Sequence, residues 1–154
     1  MIELFDMIAN AITAYNVSYE VKEHELIIVN PDNGYKLHVY EDVGYSQDMT
    51  IRYVEYIVEF STQHRHFDAD NEDDIREYIL AILNDEVLPL EFYMEGKRRF
   101  GGEIGADDWD KLSLSFLSQQ YGYTSDYLQP FDYEIHSWSG KYDTGLRKVS
   151  ELKP

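Results

Sequence analysis

The 154-residue chain contains no cysteine. That absence excludes disulfide bridges and thiolate metal ligands. Long apolar runs are missing as well. The longest, Ile79-Leu80-Ala81-Ile82-Leu83, falls far short of the roughly 20 residues a membrane-spanning helix needs. Proline and glycine are sparse, at four and nine, and occur mostly singly as turn punctuation. No linker, repeat or low-complexity tract interrupts the chain. Basic residues are scarce too: 13 Lys and Arg face 30 Asp and Glu, a formal charge of −17. A field of that sign repels nucleic-acid phosphates and anionic membranes. Direct binding to either is not expected. The first residues, Ile2-Glu3-Leu4-Phe5-Asp6, carry acids where a secretory signal needs bases, so a cytoplasmic protein is expected.

What is present reads as an ordinary globular composition, 44% hydrophobic and 28% charged. A single domain over residues 1–144 is expected, with 145–154 as a loose polar tail. Residues 2–16 have the helical stripe Phe5, Ile8, Ile12 and Tyr15. Period-2 alternation comes next, around 17–21, 25–29, 35–40 and 50–60, with the turn Asn30-Pro31-Asp32-Asn33-Gly34 between the second and third runs. In the last run the even-numbered side chains, Arg52, Val54, Tyr56, Val58 and Phe60, form the more apolar face. Residues 71–85 predict a second helix with the stripe Ile75, Tyr78, Ile79, Ile82 and Leu83. Asn71 is a candidate cap, and Glu72, Asp73 and Asp74 lie at its positive end. A hairpin turning at Glu95-Gly96 comes next. Residues 107–120 fit a helix capped by Asp107, with a strand through Leu112, Leu114 and Phe116 as the alternative; 131–142 fit a last strand. Strands in groups rather than alternating with helices predict an α+β fold: an antiparallel meander sheet with two or three helices packed on one face.

Enzyme signatures fail one by one. The chain has neither Gly-x-Gly-x-x-Gly nor a phosphate-binding Gly-x-x-x-x-Gly-Lys-Ser/Thr. Ser137-Trp138-Ser139-Gly140 has Ile135 where a nucleophile elbow needs its first glycine. His24-Glu25 lacks a second histidine, because position 28 is Ile. The stretch 64–74 holds the strongest candidates. If extended, His64, His66, Asp68 and Asp70 fall on one side, and imidazole with carboxylate suits zinc, iron or manganese. A calcium loop fits worse, since Asp73 replaces its glycine and Ile79 its bidentate acid. A polar loop feeding a well-capped helix explains the same acids, and no cofactor or metal is expected.

Two features survive this sorting. Acids are densest at Asp68, Asp70, Glu72, Asp73 and Asp74 and at Asp107, Asp108 and Asp110. Tyrosine is abundant, with 14 copies, and Tyr121, Tyr123 and Tyr127 lie near Asp126 and Trp138. Tyrosine joins a large apolar ring to a polar tip and is favoured at interfaces. Acids interleaved with rings suit an electrostatically steered protein interface. Asp68, Asp70, Glu72, Asp73, Asp74, Asp107, Asp108, Tyr121, Tyr123, Asp126, Tyr127 and Trp138 are therefore the expected partner-binding residues. The trio Lys97-Arg98-Arg99 is too small to reverse the sign of the whole.

Residues 88–104 (LPLEFYMEGKRRFGGEI) resemble a segment of the immunity proteins of bacterial polymorphic toxin systems. The resemblance implies a non-enzymatic protein that binds and neutralises a cognate toxin domain, which in many systems is a basic nuclease. No functional residue carries over from it. Two other readings stay open: a nucleic-acid-mimicking antagonist of a DNA- or RNA-binding protein, and a metal-dependent enzyme using His64, His66, Asp68 and Asp70.

Overall fold

The computed structural model describes residues 2–61 and 63–154. The fold is α+β with two antiparallel sheets, one of five strands and one of four. The chain divides into two compact units, one ending at Leu83 and the other spanning Asn84–Pro154. Neither proline nor glycine marks that boundary.

The first unit runs α1 (Glu3–Ala11), β1 (Ser18–Val21), β2 (Glu25–Val29), β3 (Lys36–Tyr45), β4 (Arg52–Phe60), β5 (Gln63–Asp68) and α2 (Glu72–Leu83). Its strands lie in the order β1-β2-β3-β4-β5, an uninterrupted meander. Leu26, Ile28, Leu37, Val39, Val58 and Phe60 are buried, as period-2 alternation requires of a sheet with one covered face. The helices supply the apolar stripes. Leu4, Phe5 and Ile8 of α1 are buried, and so are Ile75, Tyr78, Ile79, Ile82 and Leu83 of α2, the stripe expected from spacing. The Asn30 turn closes through Asn30 N–H to Tyr35 O and Gly34 N–H to Asn30 O, both 2.8 Å, with Gly34 at φ 77°.

The fifth strand corrects the reading of 64–68 as loop. β5 pairs with β4 in the register Ile57↔His66 and Glu59↔His64. Ladder hydrogen bonds do not depend on side-chain polarity. One buried anchor suffices here: Phe67 is covered, and its ring lies 5.6 Å from Tyr78 of α2.

β3 and β4 outrun their neighbours. β2 pairs β3 only as far as Tyr40, and β5 pairs β4 only from Glu55. Beyond that, Val43↔Val54, Gly44↔Tyr53 and Tyr45↔Arg52 form a two-stranded arm. Its tip is organised by Asp48, whose Oδ1 accepts from Ser46 Oγ (2.6 Å), Thr50 Oγ1 (2.7 Å) and Thr50 N–H (3.2 Å). Those donors hold the Asp48 carboxyl down at about 2.

The second unit runs β6 (Val87–Met94), β7 (Lys97–Gly105), a 3₁₀ turn (Ala106–Lys111), α3 (Leu114–Tyr121), α4 (Ser125–Leu128), β8 (Asp132–Ile135), β9 (Arg147–Lys148) and a last 3₁₀ turn (Val149–Glu151). Strand order is β7-β6-β8-β9. Glu95 (φ 53°) and Gly96 (φ 76°) make the expected two-residue hairpin turn, whose backbone needs positive φ at both positions. The core gathers Leu88, Leu90, Phe92, Ile104, Leu117, Leu128, Phe131, Tyr133, Ile135 and Val149.

Three expectations change in this unit. The helix expected over 107–120 is a 3₁₀ turn followed by a shorter helix. Asp107 does not cap it; Ser113 does, its Oγ accepting from Phe116 N–H at 3.1 Å. The last strand stops at Ile135, because Ser137 turns the chain: its N–H donates to Asp143 Oδ1 (2.7 Å), and its Oγ accepts from Tyr142 N–H (2.9 Å). Residues 145–154, expected to be loose, carry β9, which pairs with β8. Val149 is fully buried there, and Lys153 O accepts from Leu114 N–H at 2.7 Å. One buried valine and a few backbone bonds fasten a segment whose composition alone looks like coil.

Candidate functional site

The expected metal set comes apart along β5. His64, His66 and Asp68 alternate on one face of the strand, but Asp70 lies past its end. Four residues of strand separate His64 from Asp68 by about 13 Å, whereas one ion needs ligands within about 2 Å. The His64 and His66 rings meet edge-on at 5.4 Å, and His66 Nδ1 lies 3.2 Å from Glu55 Oε2 across the strand pair. Among the described residues no group of three or more His, Asp or Glu is arranged to hold a metal ion.

The acids downstream stand open to solvent. Asp68, Asp70, Glu72, Asp73 and Asp74 are all exposed. Asp70 to Asp74 line a shallow depression of about 360 Å³ at the start of α2. Arg76, 3.4 Å from Asp73, provides one local countercharge. The positive end of α2 accounts for part of this clustering. In the second unit Asp107 is exposed, and Asp108 is partly neutralised by Lys111 at 3.2 Å.

The tyrosine set splits. Tyr123 and Tyr127 remain outside, with Tyr127 49% exposed. Thr124 caps α4 through Tyr127 N–H (3.2 Å) and brings the two rings into a stack, centroids 5.0 Å apart and planes 21° from parallel. The stack is anchored at both ends. Phe100 of β7 lies 4.8 Å from Tyr123, and Phe131 lies 5.3 Å from Tyr127. Asp126 is exposed on the same helical turn. Among the described residues no cation covers either tyrosine ring.

Tyr121 and Trp138 do not belong with them. Trp138 is only 5% exposed. Tyr121 packs edge-on against Phe92 at 5.7 Å and donates from its hydroxyl to Glu103 O at 2.9 Å. Burial, and then the Glu103 charge, push its pKa up. Tyr121 packs against the core of the second unit although its chain neighbours Gln120 and Gly122 are exposed, and Trp138 is buried, so neither ring is free for a partner as expected.

Two features escaped the sequence. The first is a ladder of imidazole–carboxylate pairs on strand neighbours: His38 Nδ1 to Glu25 Oε1 (2.7 Å) and His24 Nδ1 to Glu41 Oε2 (3.4 Å) in addition to His66–Glu55. The first two pairs line, with Lys22, Glu23, Tyr40 and Glu59, an open depression of about 600 Å³. Such partly solvated pairs contribute roughly 0–1 kcal/mol each. Only the register places these partners together, and register is not written in residue type. The second is the apolar arm of β3 and β4, where Val43, Tyr45, Met49, Ile51 and Tyr53 are exposed. β3 runs on through Val43 and Tyr45, past the end expected at residue 40, to meet the strand expected from residue 50.

No protein-family model matches the chain, and neither does any curated protein or solved structure.

Proposed function

We propose that the chain is a non-enzymatic binding protein that neutralises a basic protein, with the nuclease domain of a toxin as its target. The exposed Tyr127–Tyr123 stack beside Asp126, in a chain of charge −17, is the observation that carries this reading. A stacked pair pinned by Phe100 and Phe131 is already ordered, so binding costs little side-chain entropy. Lysine and guanidinium groups can donate to its hydroxyls, and Asp126 adds a carboxylate. The exposed acids of Asp68–Asp74 would add long-range attraction, which can raise association rates by ~10–1000-fold.

The test is co-expression with the toxin domain encoded beside it, reading protection of the host and the affinity of the purified pair. Protection and a complex are expected. Tyr123→Ala with Tyr127→Ala should weaken binding by about 2 kcal/mol or more, the scale of an interfacial hot spot. Affinity should also fall as salt rises, since the Debye length shrinks from about 10 Å at 0.1 M to about 3 Å at 1 M. Absence of both complex and protection overturns the proposal.

A further inference from the structure

The arm of β3 and β4 plays no part in that proposal and is the most apolar exposed feature described. Met49 is 69% and Ile51 63% exposed, with Val43, Tyr45 and Tyr53 open beside them. Scattered exposed apolar side chains are ordinary, but here the register puts Val43 and Tyr45 on one face of the ribbon and Ile51 and Tyr53 on the other, so that both faces are apolar. The arm also carries open strand edges. Glu41 N–H is the last of β3 to reach the β2 side, donating to His24 O at 3.0 Å. The alternation of an antiparallel ladder then turns the backbone groups of Val43 and Tyr45 toward the same side, where the sheet has no further strand among the described residues.

Charge selects the occupant. Residues 43–53 hold one acid, Asp48, and one base, Arg52, and so carry no net charge in a chain of −17. Acids return only at the base of the arm, with Asp42 and Glu55. A cationic partner gains less at a neutral ribbon than at the acidic surfaces and is drawn to those instead. Two copies of a −17 chain repel wherever acids face each other, and a neutral apolar ribbon is where they can meet. A two-fold contact offers each copy the same apolar set and one charge of each sign. We infer that a second copy of this chain docks on the arm, joining two molecules arm to arm into a symmetric dimer.

Sedimentation velocity on the full chain, from micromolar to millimolar concentration and across salt, tests this. A monomer–dimer equilibrium is expected that tightens as salt screens the repulsion, the opposite sign to the salt effect on a basic partner. Met49→Asp with Ile51→Asp should raise the dimer dissociation constant at least about tenfold while the circular dichroism spectrum stays unchanged. Both side chains are exposed, so the fold does not depend on them. The cysteine-free sequence permits a second readout. Ile51→Cys should form an intermolecular disulfide under oxidised glutathione much faster than Ser150→Cys, an exposed position off the arm. A monomer at every concentration and salt, a dimer indifferent to the double substitution, or equal cross-linking at both positions would overturn the inference.

Discussion

Glu91 shows how a single charged side chain can be structural. Its side chain is fully buried in β6 and hydrogen-bonds the Nε of Arg98, across the hairpin where the register shifts between Phe92 and Tyr93. A buried carboxylate is tolerated only with a partner. Arg98→Ala should cost about 3 kcal/mol, the low end for breaking a buried pair, because Arg98 is itself 40% exposed. Urea denaturation measures it, and a loss below about 0.5 kcal/mol would show that Glu91 finds compensation elsewhere. Tyr121 yields a pH prediction. Its folded pKa is raised above the ordinary 10.0, so the stability it contributes is fully present below pH 10 and is lost as pH climbs further, because the unfolded phenol ionises first. Tyr121→Phe should shrink the alkaline loss of stability and cost about 1 kcal/mol at neutral pH through the bond to Glu103 O. An alkaline denaturation profile identical in both proteins would refute that assignment. Gly102 belongs to the same spot, since a Cβ there would strike the Tyr121 ring. The sequence hid these roles: Glu91 counts as one more acid and Tyr121 as one more interface ring until the strand register sets what each faces.

Elements were more legible than residues. The stripe of α2 and the Glu95-Gly96 hairpin could be read because hydrophobic spacing and positive φ are local facts. The same logic failed over 107–120, where Leu112 and Phe116 keep helical spacing across a break that Ser113 creates by capping only the helix on its C-terminal side. Ser113→Ala should therefore destabilise the second unit by about 1 kcal/mol, visible as a shifted denaturant midpoint, while Asp107→Ala should change little. β5 was misread because pairing is a property of its neighbour: β4 offers an edge there, and a polar strand fills it. On the arm, Gly44 lies beneath the ring of Tyr53, which covers it across the strand pair. Gly44→Ala would push that ring aside. The amide signals of the tip should move in a nuclear magnetic resonance spectrum while those of β2 remain in place.

At the level of the whole molecule the charge is the most consequential number. An excess of 17 negative charges opposes compaction, so added salt should raise the thermal midpoint at neutral pH; a midpoint that falls would mean that the imidazole–carboxylate and Arg98–Glu91 pairs outweigh the repulsion. The α+β class came from how strands and helices are grouped. The split into two units did not, because no linker marks the boundary for composition to reveal.

Strand order has a consequence in time. Each strand of the first sheet pairs with the one made just before it, so every loop to be closed is short. Short closures are quick, and chains generally fold from the end that is synthesised first. As the ribosome extends the chain, β1 through β5 can zip in order of their emergence. The second sheet has no such schedule: β6 keeps one edge open until β8 arrives about 40 residues later. Of the two halves, the later one is the more exposed to misassembly during its birth, and a translational pause before residue 132 would lengthen that vulnerable interval.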